Sequence, residues 1–514
     1  MKDKHPLVLI WHFRYYSVLV AETEKSVRFK RLILSCALYS TCVGAFATPW
    51  IGALDPQLHH DLVTLTEYAV VDASVTSYPV PWRGIADQLA DVDVATLPVP
   101  ARLAATRLQH YLKRQSRAGM QSFLDVYAAT DPSRLTRFDG EQAPSARVTK
   151  LTSYTAGNWS AQLALNLESG GDTHFDQSYL AYQYAGWVLS ASAMDQWWGP
   201  AQGSSLILSN NARPVPSIAL SRGTATASEH PWLRWLGPWY FTAQLGQMEH
   251  DRDVPKARLW KTRFTLKPFK GLELGASWAA MWGGEGQPDG FSDFIDVLTF
   301  RNECVNGLSE CDPSLNTTKG NHIAGFDLKY TLNLFNRPVS VYAQRIGEDA
   351  VDGYRVTDNA NLFGLSTYLF GAKVFIETSD TNIACNGDGN TATNCFYENN
   401  IYSSGYRRYN RAIGSTFDSD AKQVTLGTLW QRANNDNVSL SVSYVELNSD
   451  GQKPSPVLTE QPQEDLWYAS GYYQTIQGDW QIKLGATLSH REFPSTDTQT
   501  DVTGYVHLRY ALNY

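Results

Sequence analysis

Charged residues are scarce in this chain. They make up 18% of its 514 residues, and the formal net charge is −8. Little charge combined with 12% aromatic residues is the opposite of a disordered composition. The acidic balance provides no basic surface for a phosphate backbone, so we expect no nucleic-acid partner. Negative charge also repels an anionic lipid surface, which leaves apolar contact as the means of any membrane association.

Long apolar runs are also rare. One run, Leu32 to Phe46, follows three basic residues and ends at Ala45-Phe46-Ala47, the small-x-small pattern that a signal peptidase cuts. We therefore interpret residues 1–47 as a signal peptide preceded by an upstream extension, Met1 to Ser26, which an early start codon would explain. The mature chain is expected to begin at Thr48. The alternative, a membrane anchor, would need a longer run to cross a bilayer.

Cysteines are few, and two of the six lie within the expected signal peptide. An even number in an exported protein predicts disulfides, and the spacings favour two local bridges. Zinc is the alternative, but no CxxC motif or nearby histidine pair supports it, so we expect no metal. The predicted bridges are Cys304–Cys311 and Cys385–Cys395.

What the sequence does contain is alternation of apolar and polar residues. In the last segment, DVTGYVHLRYALNY, apolar side chains occupy even positions from Val502 to Tyr514, with polar residues such as His507 and Arg509 between them. This period of two predicts a strand with one apolar face. Segments 438–444 and 480–490 repeat the pattern. Strands of about ten residues with this alternation are typical of a transmembrane β-barrel.

Connection lengths predict the number of strands. Short turns alternate with long loops, and placing every short turn on the periplasmic side gives an antiparallel barrel of about 18 strands over 118–514. One connection, Gly223–Pro238, is too long for this rule. The terminal Tyr514, with apolar residues at alternate positions before it, resembles the strand by which outer-membrane proteins reach their assembly machinery. We therefore expect a location in the outer membrane of a Gram-negative bacterium, with outer-membrane lipid and that machinery as partners.

The segment before the barrel has helical rather than alternating periodicity. Apolar residues recur at helical spacing around Leu62 and Leu65 and again around Leu108, and prolines separate the candidate helices. These features predict that residues 48–117 form a small periplasmic α-helical bundle. It would act either as a plug or partner-docking site, or as a cap on the lower mouth of the barrel.

Several motifs in order resemble the Wzi family of outer-membrane capsule-assembly proteins. They are DQWWGP at 195–200, SLILSNNARPVPSI at 205–218, DVPKARLW at 253–260, WGGEGQP at 282–288 and GYRRYNRAIGSTFDSDA at 405–421. The resemblance implies an eighteen-stranded barrel with a periplasmic helical bundle, acting as a lectin that holds capsular polysaccharide or exopolysaccharide at the cell surface. It also supports a helix for FSDFIDVL at 291–298, inside a long loop, and implies that the protein is not an enzyme.

Catalytic chemistry has little support in the residues themselves. Neighbouring carboxylates such as Glu348 and Asp349 could suggest glycoside hydrolysis, which requires two carboxyls on opposite sides of a sugar. They lie in polar segments, and sequence neighbours do not establish that geometry. The segment NGDGN at 386–390 lacks the closing glutamate of a calcium loop. We expect no catalytic residues and no cofactor.

Polysaccharide binding needs flat aromatic faces and fixed hydrogen-bond donors. Two segments predicted to be extracellular supply both, which makes Tyr354, Arg355, Tyr406, Arg407 and Arg408 candidate binding residues. The alternative is that the arginines line the lumen and pair with Asp418 or Asp420.

The WWGP block is expected to fold inward and narrow the lumen, because its glycines permit a turn and its polar side chains can satisfy backbone groups. The alternative for this block is direct contact with sugar. The residues of this lumen-occluding or structural motif are Asp195, Trp197, Trp198, Gly199, Asn210, Asn211 and Arg213. A surface lectin with a blocked lumen is thus the main hypothesis. The alternative is an outer-membrane porin or uptake channel with an open, polar lumen.

Overall fold

A computed structural model describes residues 48–512, apart from gaps at 52–54, 116–118, 142–143, 300–319, 352–354, 384, 388–389, 393–395, 399–400, 450, 452–462 and 495–496. The expected signal peptide lies outside these residues. So do Cys304, Cys311 and Cys395, and the side chain of Cys385 is not described either. Both disulfides therefore stay predictions.

The described residues after 118 form a closed antiparallel barrel of eighteen strand positions, which confirms the predicted fold class. The last strand closes on the first, with Leu512 paired to Ser122. The strands are β1 Gly119–Ala129, β2 Ala146–Ala156, β3 Trp159–Glu168, β4 Ser178–Tyr184, β5 Trp187–Ala193, β6 Ser217–Arg222, β7 Trp239–Gln247, β8 Arg258–Phe269, β9 Leu272–Trp282, β10 Gly320–Leu334, β11 Arg337–Val351, β12 Arg355–Leu369, β13 Ala372–Asp380, β14 Ala421–Gln431, β15 Asn437–Leu447, β16 Glu464–Gln477, β17 Trp480–Glu492 and β18 Gln499–Leu512.

Alternation along the strands sorts side chains between the lumen and the outside. In β8 the odd-numbered Lys261, Arg263 and Thr265 are buried in the lumen, whereas the even-numbered residues face outward. A closed barrel with an apolar exterior crosses a bilayer with its backbone hydrogen bonds satisfied. Outward-facing apolar residues with exposed side chains include Leu163, Leu189, Ile218, Phe326, Leu426, Leu440 and Leu484.

The two ends of the barrel differ, and we name them by their connections. At the turn end most connections are tight, and exposed aromatic residues such as Trp159, Phe335 and Phe370 surround the rim. At the loop end the connections are long. The connection from β6 to β7 is an exception, because it is long although it lies at the turn end. It contains a 3-10 helix, Pro231–Leu236, and its Ala225 carbonyl accepts a hydrogen bond from the backbone of Ser74.

In the part of the chain described before the barrel there are three α-helices: α1 Pro56–Glu67, α2 Ile85–Ala90 and α3 Val99–Gln115. Asp55 caps α1 by accepting a hydrogen bond from the Gln57 amide. The helices share an apolar core with Tyr240, which β7 directs into the lumen. Among the described residues, no helix is long and apolar enough to cross a membrane.

An ion cluster ties α1 to the barrel wall near the turn end. The buried Glu67 carboxylate accepts hydrogen bonds from Lys329 Nζ at 2.6 Å, Lys373 Nζ at 2.9 Å and Tyr368 Oη at 2.6 Å. All three partners come from barrel strands. Helix α1 therefore lies in the lumen near the turn end.

The WWGP block enters the lumen from the opposite end. Trp197–Trp198 pairs with Ser77–Tyr78, which comes from the N-terminal segment. The wall holds the N-terminal segment: Glu273 accepts from the amides of Val75 and Thr76 at 2.9 Å, and from the hydroxyls of Ser74 and Thr76 at 2.7 Å and 2.8 Å. The middle of the lumen is thus filled by two segments that meet there.

Candidate functional site

Lumen-facing side chains fix the path of the WWGP block. Glu377 accepts hydrogen bonds from the amides of Gln202 at 2.8 Å and Gly203 at 2.7 Å. Gln344 donates to the Trp198 carbonyl at 2.9 Å and accepts from the Leu206 amide at 2.8 Å. These contacts pair backbone groups that would otherwise be buried without partners.

The polar end of the block also makes specific contacts. Asn210 donates to the Phe138 carbonyl at 3.0 Å, and Asn211 donates to the Ala412 carbonyl at 3.2 Å. Arg213 instead forms an ion pair with Asp176, 2.6 Å from its Nε. Both tryptophans, Trp197 and Trp198, are fully buried.

Beside the block lies a cavity of about 320 Å³, which its residues line together with the surrounding loops, the start of α1 and barrel-wall residues such as Asp125 and Arg509. Tyr409 stands in its wall with 46% of its surface exposed. The guanidinium carbons of Arg213 and Arg408 lie 4.8 Å and 5.2 Å from the centre of the Tyr409 ring. The cavity therefore contains a half-exposed aromatic ring with two cationic groups over it.

A chain of charged groups runs along one wall of this cavity. His174 lies between two carboxylates, 3.0 Å from Glu168 and 3.1 Å from Asp176, and Asp176 also holds Arg213. Burial tends to raise the pKa of Asp176, but hydrogen bonds from His174 and Arg213 outweigh it and lower the pKa. Asp176 is thus a carboxylate whose position is fixed from two sides.

Asp195 lines the same cavity, but its surroundings disfavour the charged form of its carboxyl group. Its Oδ1 atom is buried and has no hydrogen-bond partner among the described residues. Burial, reinforced by the nearby Asp176 carboxylate, raises the pKa of Asp195 to about 7. Near neutral pH the cavity therefore contains one carboxyl that can donate a hydrogen bond as well as accept one.

The candidate binding residues from the sequence are distributed unevenly. Tyr354 lies outside the described residues, and the side chain of Arg355 is not described. Tyr406 is buried, with 2% of its surface exposed. Arg407 pairs with Asp418 and with Glu398, each at 2.8 Å. Of these five residues, the structure brings Arg408 to the cavity wall, where it donates to the Pro214 carbonyl.

Sequence reasoning missed Tyr409, although it singled out the three residues before it. Arg407–Arg408 pairs with Arg411–Ala412, so Tyr409 and Asn410 form a two-residue turn. Both have positive φ, 47° and 63°, as a type I′ turn requires. Asn410 was the available signal, because Asn favours this conformation, and recognising the turn would have placed Tyr409 at its tip.

Among the described residues, no group of three or more His, Cys, Asp or Glu side chains is arranged to hold a metal ion. Taken with the geometry above, the fold defines a transmembrane β-barrel whose lumen is filled and whose loop end carries a polar and aromatic cavity.

Comparison with known proteins specifies the family. The model of the family described as capsule assembly protein Wzi matches residues 117–504, and the chain belongs to this family. A Klebsiella pneumoniae relative, described as an uncharacterized 55.8 kDa protein in the cps region, is 29% identical over 367 residues, 69% of this chain and 70% of its own. The resemblance inferred from the motifs is confirmed.

A solved structure shares the fold. It is that of Escherichia coli Wzi, described as an outer-membrane protein involved in group 1 capsule assembly and as a carbohydrate-binding β-barrel. The TM-score is 0.76 at 24% identity, and the match covers 92% of this chain and 100% of that one.

Proposed function

We propose that this protein is an outer-membrane lectin that attaches or organises capsular polysaccharide or exopolysaccharide at the cell surface. The observation that carries the proposal is the half-exposed ring of Tyr409 in a cavity lined by charged residues of the loops, the WWGP block and the barrel wall. Sugars stack on aromatic faces, and arginine donors such as Arg213 bind hydroxyls or uronate carboxylates. The carbohydrate binding described for Escherichia coli Wzi supports the same role.

The proposed orientation follows from the connections. Bacterial outer-membrane barrels have short periplasmic turns and longer extracellular loops. The turn end, with the helical bundle assigned to residues 48–117, would then face the periplasm, and the cavity would face outward. Tyr354 and Arg355 belong to a segment that the sequence predicts to be extracellular, and they remain candidates on that ground alone.

Arg407 has a supporting role in this proposal. Its ion pairs with Asp418 and Glu398 hold the hairpin that presents Tyr409. Arg408 continues that hairpin into the cavity wall, and its guanidinium lies over the Tyr409 ring. Tyr406, Arg407 and Arg408 thus remain candidates, the first two through positioning and the third through direct contact.

Substitution of Tyr409 tests the binding site. Because a stacked aromatic contact contributes about 0.5–1.5 kcal/mol, Tyr409→Ala should weaken binding of purified surface polysaccharide about 2- to 10-fold. Tyr409→Phe keeps the ring and is the matched control, expected to retain most of the affinity. Cell-associated and shed polysaccharide would be measured in parallel. Unchanged affinity and retention in Tyr409→Ala would count against this site.

The porin hypothesis predicts a different result with the same protein. In a planar bilayer, the filled lumen should give no stable large single-channel current in the wild type. Such a current would support a channel instead. Release of shortened glycans from bound polysaccharide would refute binding without catalysis, which we propose for this family member.

A further inference from the structure

The helix α4, Phe291–Leu298, covers the outer wall of the barrel. Ala280 and Trp282 occupy outward-facing positions of β9, yet only 0% and 2% of their surfaces are exposed. Phe294 stacks on Trp282 with ring centroids 5.1 Å apart, and Val297 packs in the same cluster. Part of the long loop after β9 therefore folds outward, away from the cavity.

An aromatic surface on the barrel receives this helix. Trp260 on β8 and Trp278 on β9 both face outward, with ring centroids 6.4 Å apart. The Trp260 ring also lies 5.5 Å from that of Phe294. The contact is thus built from side chains of two strands and fixes the helix at one height on the wall.

The helix has a second apolar side. At about 100° per residue, Phe291 and Ile295 lie on the same side of α4, next to the side that carries Phe294 and Val297. Phe291 is 78% exposed and Ile295 is 37% exposed. Ser292 and Asp296 occupy the remaining, polar side. Such a division suits a helix with a wall on one side, apolar medium on another and water on the third.

Residues on either side of α4 mark the boundary between water and the bilayer on this part of the barrel. Toward the loops, Arg258 forms an exposed ion pair with Asp289 at 2.7 Å, and its guanidinium lies over the Trp282 ring. In the other direction, Phe326 is 67% exposed and pairs with Ala276, the next outward position of β9 after Trp278. The apolar side of α4 is therefore continuous with the bilayer-facing surface.

We propose that α4 is an interfacial helix, with Phe291 and Ile295 inserted among the lipid acyl chains of the leaflet at the loop end. In the proposed orientation this is the outer leaflet. A second copy of the chain fits less well, because two exposed side chains offer far less surface than the about 800 Å² per partner of a stable interface. Lipid needs no such area, since each buried apolar group adds to the same bilayer contact.

Photocrosslinking from single positions of the full chain tests this proposal. p-Benzoylphenylalanine would replace Phe291 or Ile295, and Ser292 on the polar side serves as the matched control. Folding of each variant would be checked by the heat-dependent gel mobility typical of intact barrels. In outer-membrane vesicles we expect lipid adducts several-fold more abundant from 291 and 295 than from 292. Equal labelling from 292, or a crosslinked pair of protein chains from 291, would overturn the proposal.

The identity of the adduct separates this inference from the proposed orientation. Lipopolysaccharide attached at 291 supports both the interfacial helix and the outer leaflet. A phospholipid adduct alone supports the helix and overturns the orientation. Neither readout depends on polysaccharide binding, so failure at Tyr409 leaves this test intact.

Discussion

Replacing Asp195 by asparagine should remove a pH dependence from the stability of the barrel. The folded protein raises the pKa of this carboxyl from its ordinary 3.8 to about 7, because burial and the Asp176 carboxylate disfavour the charged form. A carboxyl with a raised pKa favours folding at low pH. This contribution is complete below a pH of about 4 and is lost as the pH rises to about 7.

The magnitude follows from the same values. A pKa of about 7 in place of 3.8 corresponds to about 4 kcal/mol, at about 1.4 kcal/mol for each tenfold change in proton affinity. The Asp195 side chain is half-buried, so solvent screening reduces this to about 2 kcal/mol. For a large chain, that free energy lowers the melting temperature by about 2–4 °C.

The assay is calorimetric melting of wild type and Asp195→Asn in one detergent at about pH 4 and about pH 8. Asparagine keeps the shape of the side chain and has no charge to bury, so the variant should melt about 2–4 °C higher than wild type at the higher pH and nearly equally at the lower. Glu285→Gln, at an exposed position, controls for a general effect of lost charge. An equal pH slope in Asp195→Asn and wild type would refute the reasoning.

Two further predictions concern the contacts that fill the lumen. Glu67→Gln leaves the buried Lys329 and Lys373 without their carboxylate, and we expect the free energy of unfolding to fall by about 3–5 kcal/mol. Unchanged denaturant midpoints would contradict this. Glu377→Ala removes the acceptor for two backbone amides of the WWGP block, so planar bilayers should show current steps that wild type lacks. Identical traces would mean that other contacts suffice to keep the block in place.

The barrel could be predicted because the alternation of apolar and polar residues that defines each strand is visible within that strand's own sequence. In β18 the even positions from Val502 to Leu512 carry the apolar side chains, and the polar positions between them face the lumen, where Arg509 pairs with Asp125 at 2.8 Å. Each strand repeats this alternation within its own sequence. Turn lengths then determine the antiparallel order, since neighbouring strands are joined directly.

The filling of the lumen depends on contacts that no local pattern encodes. Glu377 meets Gln202, 175 residues away, and Glu67 meets Lys329, 262 residues away. Alternation shows that these wall residues are polar but not which segment they hold. The same limit applied at Tyr409, where the turn between two short strands exposes one aromatic residue while Tyr406 stays buried.

The contacts between the barrel wall and the WWGP block leave the residues of the cavity free to vary. Glu377 binds two backbone amides of the WWGP block, so this contact depends on the path of the chain more than on the side chains of the block. Steric space restricts the residue type at position 203 more strictly, because a Cβ atom at Gly203 would lie 2.9 Å from the Glu377 carboxylate. Substitutions at residues that line the cavity, such as Arg213, can therefore change the contacts with a ligand while the backbone of the WWGP block keeps its position.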